Sequence, residues 1–284
     1  MALTAKTIGF VNYQGGSQIL EEDSFFSLIL DGLENRARKK GYNLTYMNIS
    51  RECVAEGILT IKAAGCRGIV IFATEMEQQD LEPFRKAGIP FVLLDNYFMN
   101  LPVNVVKVNN EQGAYIAVKY LYQQGHREIG YLRSGKQISS FEERYRCVRN
   151  SLKFFGLEIK NQHVWTLGYP MENAYYEMQK LMQENAALPT AFLADNDLVA
   201  AGAMKAVKEA GYRIPEDISF VGFDDRPVCL STEPKLTTVK LPRKYFGAEA
   251  IEMLVRTLDG EKMMNEKLEI STSLELRESV SAVK

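Results

Sequence analysis

The chain has 284 residues, more than one compact core usually serves, and this length predicts two domains. Its composition, 46% hydrophobic and 25% charged, is that of an ordinary folded protein, and its formal net charge of −2 argues against a broad surface for nucleic acid or anionic membrane. No apolar stretch approaches the roughly 20 residues that a membrane-spanning helix needs.

One pattern recurs along the chain: a helical segment, then a glycine, then a short run of β-branched residues. It occurs, for example, in KAAGCRGIVIF and RKAGIPFVLLD. Glycine suits the left-handed position that ends a helix, and the aliphatic run suits a strand covered on both faces. Alternating helices and buried strands predict an α/β fold with mostly parallel sheets.

The pattern predicts eleven strands that fall into two successive series, the first ending near Asn109. Such series predict two doubly wound parallel-sheet lobes with a ligand cleft between them, at the carboxyl ends of the strands. The predicted strands are Thr7–Tyr13, Asn43–Ile49, Gly68–Ala73, Pro90–Asp95, Val105–Asn109, Glu128–Arg133, Val164–Leu167, Thr190–Ala194, Ile218–Phe223, Leu236–Leu241 and Leu268–Leu276. The main predicted helices are Phe25–Lys40, Gln112–Gln124, Glu142–Phe155, Asn173–Glu184, Asp197–Ala210 and Tyr245–Leu258.

Signals for catalysis and for metal binding are missing from the sequence. The two histidines, His126 and His163, have no neighbour at metal-ligand spacing, and no nucleotide-binding or hydrolase motif occurs. The four cysteines are scattered, and the N-terminus lacks the pattern of a secretory signal, so reduced thiols and a cytoplasmic location are expected. We therefore expect a binding protein without cofactor or metal, and not an enzyme.

Polar residues stand at the ends of predicted strands, where a cleft would contact a ligand. Short carboxylates and amides there suit neutral polyols, because a carboxylate accepts hydrogen bonds and an amide donates and accepts them. Arg144 could add a bidentate contact to vicinal hydroxyls or to a carboxylate. The alternative is that these residues only cap helices. The candidates at strand ends are Asp95, Asn109, Asp195–Asp197 and Asp224–Asp225.

The segment FLADNDLVAAGA poses this choice most sharply. Its Asp195-Asn196-Asp197 triplet lacks a base, a nucleophile or a metal partner elsewhere in the sequence. We expect Asp197 to cap the following helix and Asn196 to face the ligand. The small residues of that helix predict close packing against a sheet.

Aromatic residues provide a third group of candidates. Phe25 and Phe26 begin the first helix, where successive side chains point about 100° apart, so one of them is expected to leave the core and stack on a ligand. Tyr169, in the LGYPM loop, is a weaker candidate of the same kind.

Five motifs in chain order resemble the effector-binding core of LacI/GalR-type transcription regulators. They are GHREIGYL, RYRCVRNSL, PTAFLADNDLVAAGAMKAVKEAGYRIPEDISFVGFDD, PKLTTVKLPRKYFGAEAIEML and LELRESV. The resemblance implies the periplasmic-binding-protein-like type I fold, with three crossings between lobes. It places 6–109 and 239–263 in an N-terminal lobe, and 110–238 and 264–282 in a C-terminal lobe.

The resemblance also implies roles for particular residues. In the family, an aromatic before the first helix, an arginine, an asparagine and an aspartate commonly contact the effector; these match Phe25 or Phe26, Arg144, Asn196 and Asp224. The sequence departs from the family at Cys147, where glycine is usual, and at Leu241, where several sugar regulators carry a polar contact. The loop Asn12–Asp23 is longer than usual and is expected to cover the cleft.

The function implied is that of the effector-sensing and dimerising part of a cytoplasmic transcription regulator. It would bind a small sugar or similar polar metabolite, form a homodimer without membrane contact, and affect operator DNA only through an N-terminal helix-turn-helix domain, which this chain is expected to lack. The alternative is a solute-binding protein of a sugar ABC transporter, which shares the fold.

Overall fold

The computed structural model describes residues 6–16, 23–136, 138–184, 186–260 and 264–283. The chain divides into two compact units. The first, unit 1, comprises the residues up to Val108 together with Pro242–Ile270, and unit 2 comprises Asn109–Leu241 and the residues from Ser271 onward. The chain therefore passes from one unit to the other at three points.

Helices and strands alternate along most of the described chain, as the glycine-punctuated pattern predicts. The strands are β1 Lys6–Gln14, β2 Tyr42–Ser50, β3 Cys66–Phe72, β4 Phe91–Leu94, β5 Val105–Val108, β6 Ile129–Ser134, β7 Val164–Leu167, β8 Ala191–Ala194, β9 Ser219–Asp224, β10 Thr237–Lys240, β11 Lys267–Ile270 and β12 Ser273–Glu275. The helices are α1 Asp23–Lys39, α2 Val54–Ala63, α3 Glu82–Lys86, α4 Asn110–Gln123, α5 Ser139–Phe154, α6 Met171–Gln183, α7 Asp197–Glu209, α8 Val228–Ser231 and α9 Arg243–Leu258.

Unit 1 is built on a six-stranded parallel sheet in the order β11-β5-β4-β3-β1-β2. Its central strands are continuous apolar runs because helices cover both faces, and β3 is buried from Gly68 to Phe72. Helices α1 and α9 approach closely at Gly32. A Cβ atom there would lie 2.0 Å from the Lys244 carbonyl oxygen, so only glycine permits this packing.

Unit 2 contains the second six-stranded sheet, in the order β12-β10-β9-β8-β6-β7. It is parallel except for β12, which pairs antiparallel with β10. The small-residue helix α7 packs against this sheet, as predicted, and also against α6 at its glycine. A Cβ atom on Gly202 would lie 2.4 Å from the Met171 carbonyl oxygen, so this glycine serves close helix–helix contact with α6 and not contact with the sheet.

The α/β class and the two parallel-dominated sheets are confirmed, but the last predicted strand is wrong. Leu268–Leu276 is not one strand: β11 pairs with β5 in unit 1, and β12 pairs with β10 in unit 2. Unit 1 therefore includes 264–270, predicted for the C-terminal lobe, and unit 2 includes Asn109 and 239–241, predicted for the N-terminal lobe. The strand is interrupted where Thr272 turns its backbone N–H to Gln112 Oε1 at 2.8 Å instead of to a sheet partner.

The sequence also bears on membrane-spanning helices and on the loop Asn12–Asp23, and the structure describes the chain only in part. None of its helices is long and apolar enough to cross a membrane. The loop Asn12–Asp23, which was predicted to cover the cleft, includes residues 17–22, and these lie outside the described residues.

Candidate functional site

Arg144 is the centre of a buried polar cluster in unit 2. It lies on α5 and is only 4% exposed. Its Nη2 donates to Asp224 Oδ1 at 2.9 Å, its Nη1 to the Asp195 carbonyl oxygen at 2.7 Å, and its Nε to Asn110 Oδ1 at 3.1 Å. The guanidinium also lies 3.8 Å from the centre of the Phe223 ring. A buried charge needs such partners, because water cannot solvate it.

Asp224 brings strained backbone to this cluster. It ends β9 with φ of 106°, and the next residue, Asp225, has φ of 55°. Among the described non-glycine residues only these two and Asp95, with φ of 74°, adopt positive φ. Asp95 follows β4 in unit 1, so all three lie at carboxyl ends of strands. Strain of this kind persists where the surroundings fix the conformation, and it concentrates at functional sites.

Asn196 occupies the carboxyl end of β8, the strand beside β9. It has extended backbone, and its Oδ1 accepts a hydrogen bond from Val199 N at 3.0 Å, so it is the N-cap of α7. Its Nδ2 is buried and has no hydrogen-bond partner among the described residues. An unsatisfied buried donor costs about 1–3 kcal/mol. An acceptor on a ligand would remove this cost.

The prediction that Asp197 caps α7 is wrong. Asp197 is the first helical residue, and its carboxylate accepts hydrogen bonds from Arg226 N at 2.7 Å and from Thr238 Oγ1 at 2.5 Å. It therefore links α7 to the loop after β9 and to β10. The N-cap position belongs to Asn196, because the extended conformation of that residue points its own side chain back at the helix.

Two buried carboxyl groups beside the cluster have raised pKa values. Burial raises the pKa of Asp195 to about 7, against hydrogen bonds from Tyr131 Oη and Ser134 N, each 2.6 Å long. Burial also raises the pKa of Asp197 to about 7, and the nearby Asp224 carboxylate adds to this shift. Both groups thus hold a proton up to neutral pH in the folded protein.

Two other predicted residues of unit 2 stand at strand ends. Asn109 follows β5 and caps α4, with its Oδ1 accepting from Gln112 N at 2.9 Å. Tyr169 lies beyond β7, where it is buried and its carbonyl oxygen accepts a hydrogen bond from Asn173 Nδ2 at 2.9 Å. For Asn109 the structure thus bears out the capping alternative.

The predicted residues of unit 1 lie in two places. Phe25 is buried, with the Arg243 guanidinium 5.6 Å from its ring centre. Phe26 is half-buried and packs in an aromatic cluster, with ring centres 5.4 Å from Phe10 and 5.7 Å from Tyr46. Asp95 is buried at the end of β4, and its Oδ2 accepts a hydrogen bond from Thr74 Oγ1 at 2.7 Å.

The structure thus joins Arg144 and Asp224 directly, and it places Asn196 next to the Asp195 carbonyl that Arg144 contacts. Sequence reasoning missed Asn110, whose Oδ1 orients Arg144 and whose Nδ2 donates to Glu143 at 2.6 Å. A sequence signal for it exists, because Asn110 directly follows the candidate Asn109 in the asparagine pair of KVNNEQG.

Neither histidine belongs to a metal-binding arrangement among the residues that the structure describes. His126 contacts Thr190 Oγ1 at 2.9 Å and the Ser281 carbonyl at 3.1 Å, and burial lowers its pKa. Within the described ranges, no group of three or more histidine, cysteine, aspartate and glutamate side chains could hold a metal ion.

Comparison of the sequence with models of known protein families identifies the family of this chain. The profile described as "Periplasmic binding protein-like domain" matches residues 118–280, more than half of the chain. The chain belongs to this family. A curated relative, the HTH-type transcriptional repressor PurR of Pasteurella multocida, is 27% identical over 282 residues, covering 98% of this chain and 82% of the relative.

Solved structures of this family share the fold. The transcriptional regulator CelR in complex with cellobiose superposes with a TM-score of 0.84 at 24% identity, over 96% of this chain and 84% of that chain. The lac repressor dimer bound to operator and the anti-inducer ONPF gives a TM-score of 0.86 at 23% identity, over 99% of this chain and 96% of that chain. The resemblance to the effector-binding core of LacI/GalR-type regulators is confirmed, and these relatives are transcription regulators.

Proposed function

We propose that this chain is the effector-sensing and dimerising core of a LacI/GalR-type transcription regulator of the cytoplasm. It binds a small sugar or similar polar metabolite, uses no cofactor and catalyses no reaction. The observation that carries this proposal is the buried Arg144–Asp224 pair beside Asn196 Nδ2, which has no partner among the described residues, at adjacent strand ends. Fixed donors and acceptors of this kind suit the hydroxyl groups of a polyol.

The relatives support the choice of ligand class and of partner. One structure of this fold holds cellobiose, and another is a dimer bound to operator DNA. The solute-binding alternative is less well supported, because these relatives are regulators. Phe25, Phe26, Asp95, Asn109 and Tyr169 stay predicted ligand contacts.

The proposed mechanism is a shift between conformations. A ligand that binds one conformation of the chain more tightly increases its population, and a linked DNA-binding domain then changes its operator affinity. The coupling is reciprocal, so operator DNA changes effector affinity by the same factor.

Calorimetry with a panel of pentoses, hexoses and disaccharides, including ribose and cellobiose, tests the proposal. We expect at least one of these sugars to bind and to raise the melting temperature, because ligand binding to the folded state alone stabilises it. Size-exclusion chromatography with light scattering should give a dimer without ligand. A panel in which no sugar binds would contradict the sensing role.

The variant Asn196→Ser isolates the unpaired amide. Serine caps helices about as well as asparagine but lacks the Nδ2 donor, so we expect stability close to that of the wild type. We expect the Kd for the best sugar of the panel to rise at least tenfold, as the loss of one ligand hydrogen bond would cause. Asn265→Ser, at an exposed asparagine of unit 1 just before β11, is the matched control and should leave the Kd unchanged.

A further inference from the structure

A groove in unit 2 lies on the solvent-facing side of α5. It is an open groove of about 800 Å³ between the helix and the segment from 157 to 161, which leads into β7. This volume is that of a small-molecule site. The lining residues are Glu142, Tyr145, Arg146, Arg149, Asn150, Lys153, Leu157, Glu158, Ile159 and Asn161.

Three cations line one face of the groove. Arg146, Arg149 and Lys153 are spaced three and four residues apart, so they stand in one row on α5. Arg149 and Lys153 make no ion pair with another described residue, and Arg146 reaches Glu143 only at 3.7 Å. Like charges at this spacing repel each other and destabilise a helix, whereas a bound anion would reverse the effect.

The groove lining carries one more positive than negative charge, because it holds three cations and the two carboxylates of Glu142 and Glu158. Glu142 pairs with Arg133, which lies outside the groove lining, and Glu158 stands on the opposite wall. The local excess of positive charge contrasts with the net charge of −2 of the whole chain.

The groove also contains neutral groups that can orient a ligand. The Tyr145 ring lies on the same helix face, with the Arg133 guanidinium 4.7 Å and the Arg149 guanidinium 5.8 Å from its centre. Asn150 supplies an amide beside the cations. Arginine forks bind phosphate oxygens in pairs, and an aromatic ring offers a surface for an apolar or planar portion of the ligand.

We propose that this groove binds a phosphorylated small molecule, at a second site separate from the Arg144 cluster. The row from Arg146 to Lys153 spans roughly 10 Å of helix, which matches one or two phosphate groups and not an extended polyanion. Arg144 faces the buried side of the same helix, so the two sites do not share residues.

Titration calorimetry with inorganic pyrophosphate at low ionic strength tests the proposal. We expect saturable binding with one site per chain, and a Kd at least tenfold higher for the double variant Arg149→Glu/Lys153→Glu. The control Lys62→Glu/Lys119→Glu changes the net charge equally on exposed lysines of α2 and α4, and should keep the Kd within twofold. The variant Arg149→Gln/Lys153→Gln removes the two cations without adding negative charge, so it separates loss of contact from charge repulsion. It should also weaken binding, and circular dichroism checks that it folds.

Three results would overturn the proposal. The first is that the wild type does not bind pyrophosphate. The second is that the groove variant and the control variant weaken binding equally. The third is that duplex DNA displaces pyrophosphate from the wild type and binds through Arg149 and Lys153. Asn196→Ser should bind pyrophosphate like the wild type, because the groove does not include Asn196. Failure of sugar binding and failure of anion binding are therefore distinguishable.

Discussion

Replacing Asp224 with alanine is expected to lower the free energy of unfolding of unit 2 by about 3–5 kcal/mol. The variant leaves the Arg144 guanidinium buried without its ion-pair partner, next to the Phe223 ring and with Asn110 Oδ1 and the Asp195 carbonyl as hydrogen-bond acceptors. Urea denaturation followed by tryptophan fluorescence measures the effect. Trp165 is the single tryptophan of the chain and packs in unit 2, with its ring centre 5.0 Å from that of Phe192, so its emission reports on this unit.

A double-mutant cycle separates the ion pair from the general cost of substitution. Arg144→Met should cost less than Asp224→Ala, because Asp224 keeps Arg226, whose Nε lies 3.5 Å from its Oδ2. The double variant Arg144→Met/Asp224→Ala should be more stable than Asp224→Ala alone, since it removes one of the two buried guanidinium groups, of Arg144 and Arg226, that lose the Asp224 carboxylate.

The exposed pair Lys160–Glu128 provides the control for this cycle. Both of its side chains are about half exposed, so Glu128→Ala should cost less than about 1 kcal/mol. A loss of similar size for Asp224→Ala would show that the buried pair does not stabilise unit 2.

The strand ends of this protein could be predicted from the sequence because they follow local rules. The apolar run before Asp224 is buried on both faces, and its end places a carboxylate at the edge of the sheet. The strand Val164–Leu167 was predicted with the boundaries that the structure has. The partners of these residues could not be predicted in this way. Asn110 is 34 residues from Arg144 in sequence, and only the packing of α4 against α5 brings them together.

Two wrong predictions share one physical origin. Asp and Asn are both good N-caps, so the choice between Asn196 and Asp197 depends on the backbone conformation at each residue, which the sequence does not specify. The break between β11 and β12 likewise depends on Gln112, a distant side chain that accepts from Thr272 N. In both cases a tertiary contact decides between local structures of similar energy.

The carboxyl group of Asp197 is expected to make the folded protein less stable as the pH rises from about 4 to about 7. Its pKa is raised from 3.8 to about 7 in the folded state, so in this range the folded protein holds a proton that the unfolded chain has released. The free energy of unfolding therefore falls by up to about 1.4 kcal/mol per pH unit from this group, or about 4 kcal/mol in total, and levels off above the folded pKa. Asp195 acts in the same direction.

The variant Asp197→Asn removes this titration while keeping the contacts. Its amide oxygen can accept from Arg226 N, and its amide nitrogen can donate to Thr238 Oγ1, so the links to the β9 loop and to β10 persist. Urea denaturation at a series of pH values, followed by Trp165 emission, measures how the free energy of unfolding changes with pH. In the variant this free energy should fall less steeply than in the wild type, by the equivalent of up to one proton. Glu216→Gln, an exposed carboxylate of unit 2, should keep the wild-type slope. An unchanged slope in Asp197→Asn would mean that Asp197 is ionised in the folded protein, with Thr238 and Arg226 N as sufficient partners for its charge.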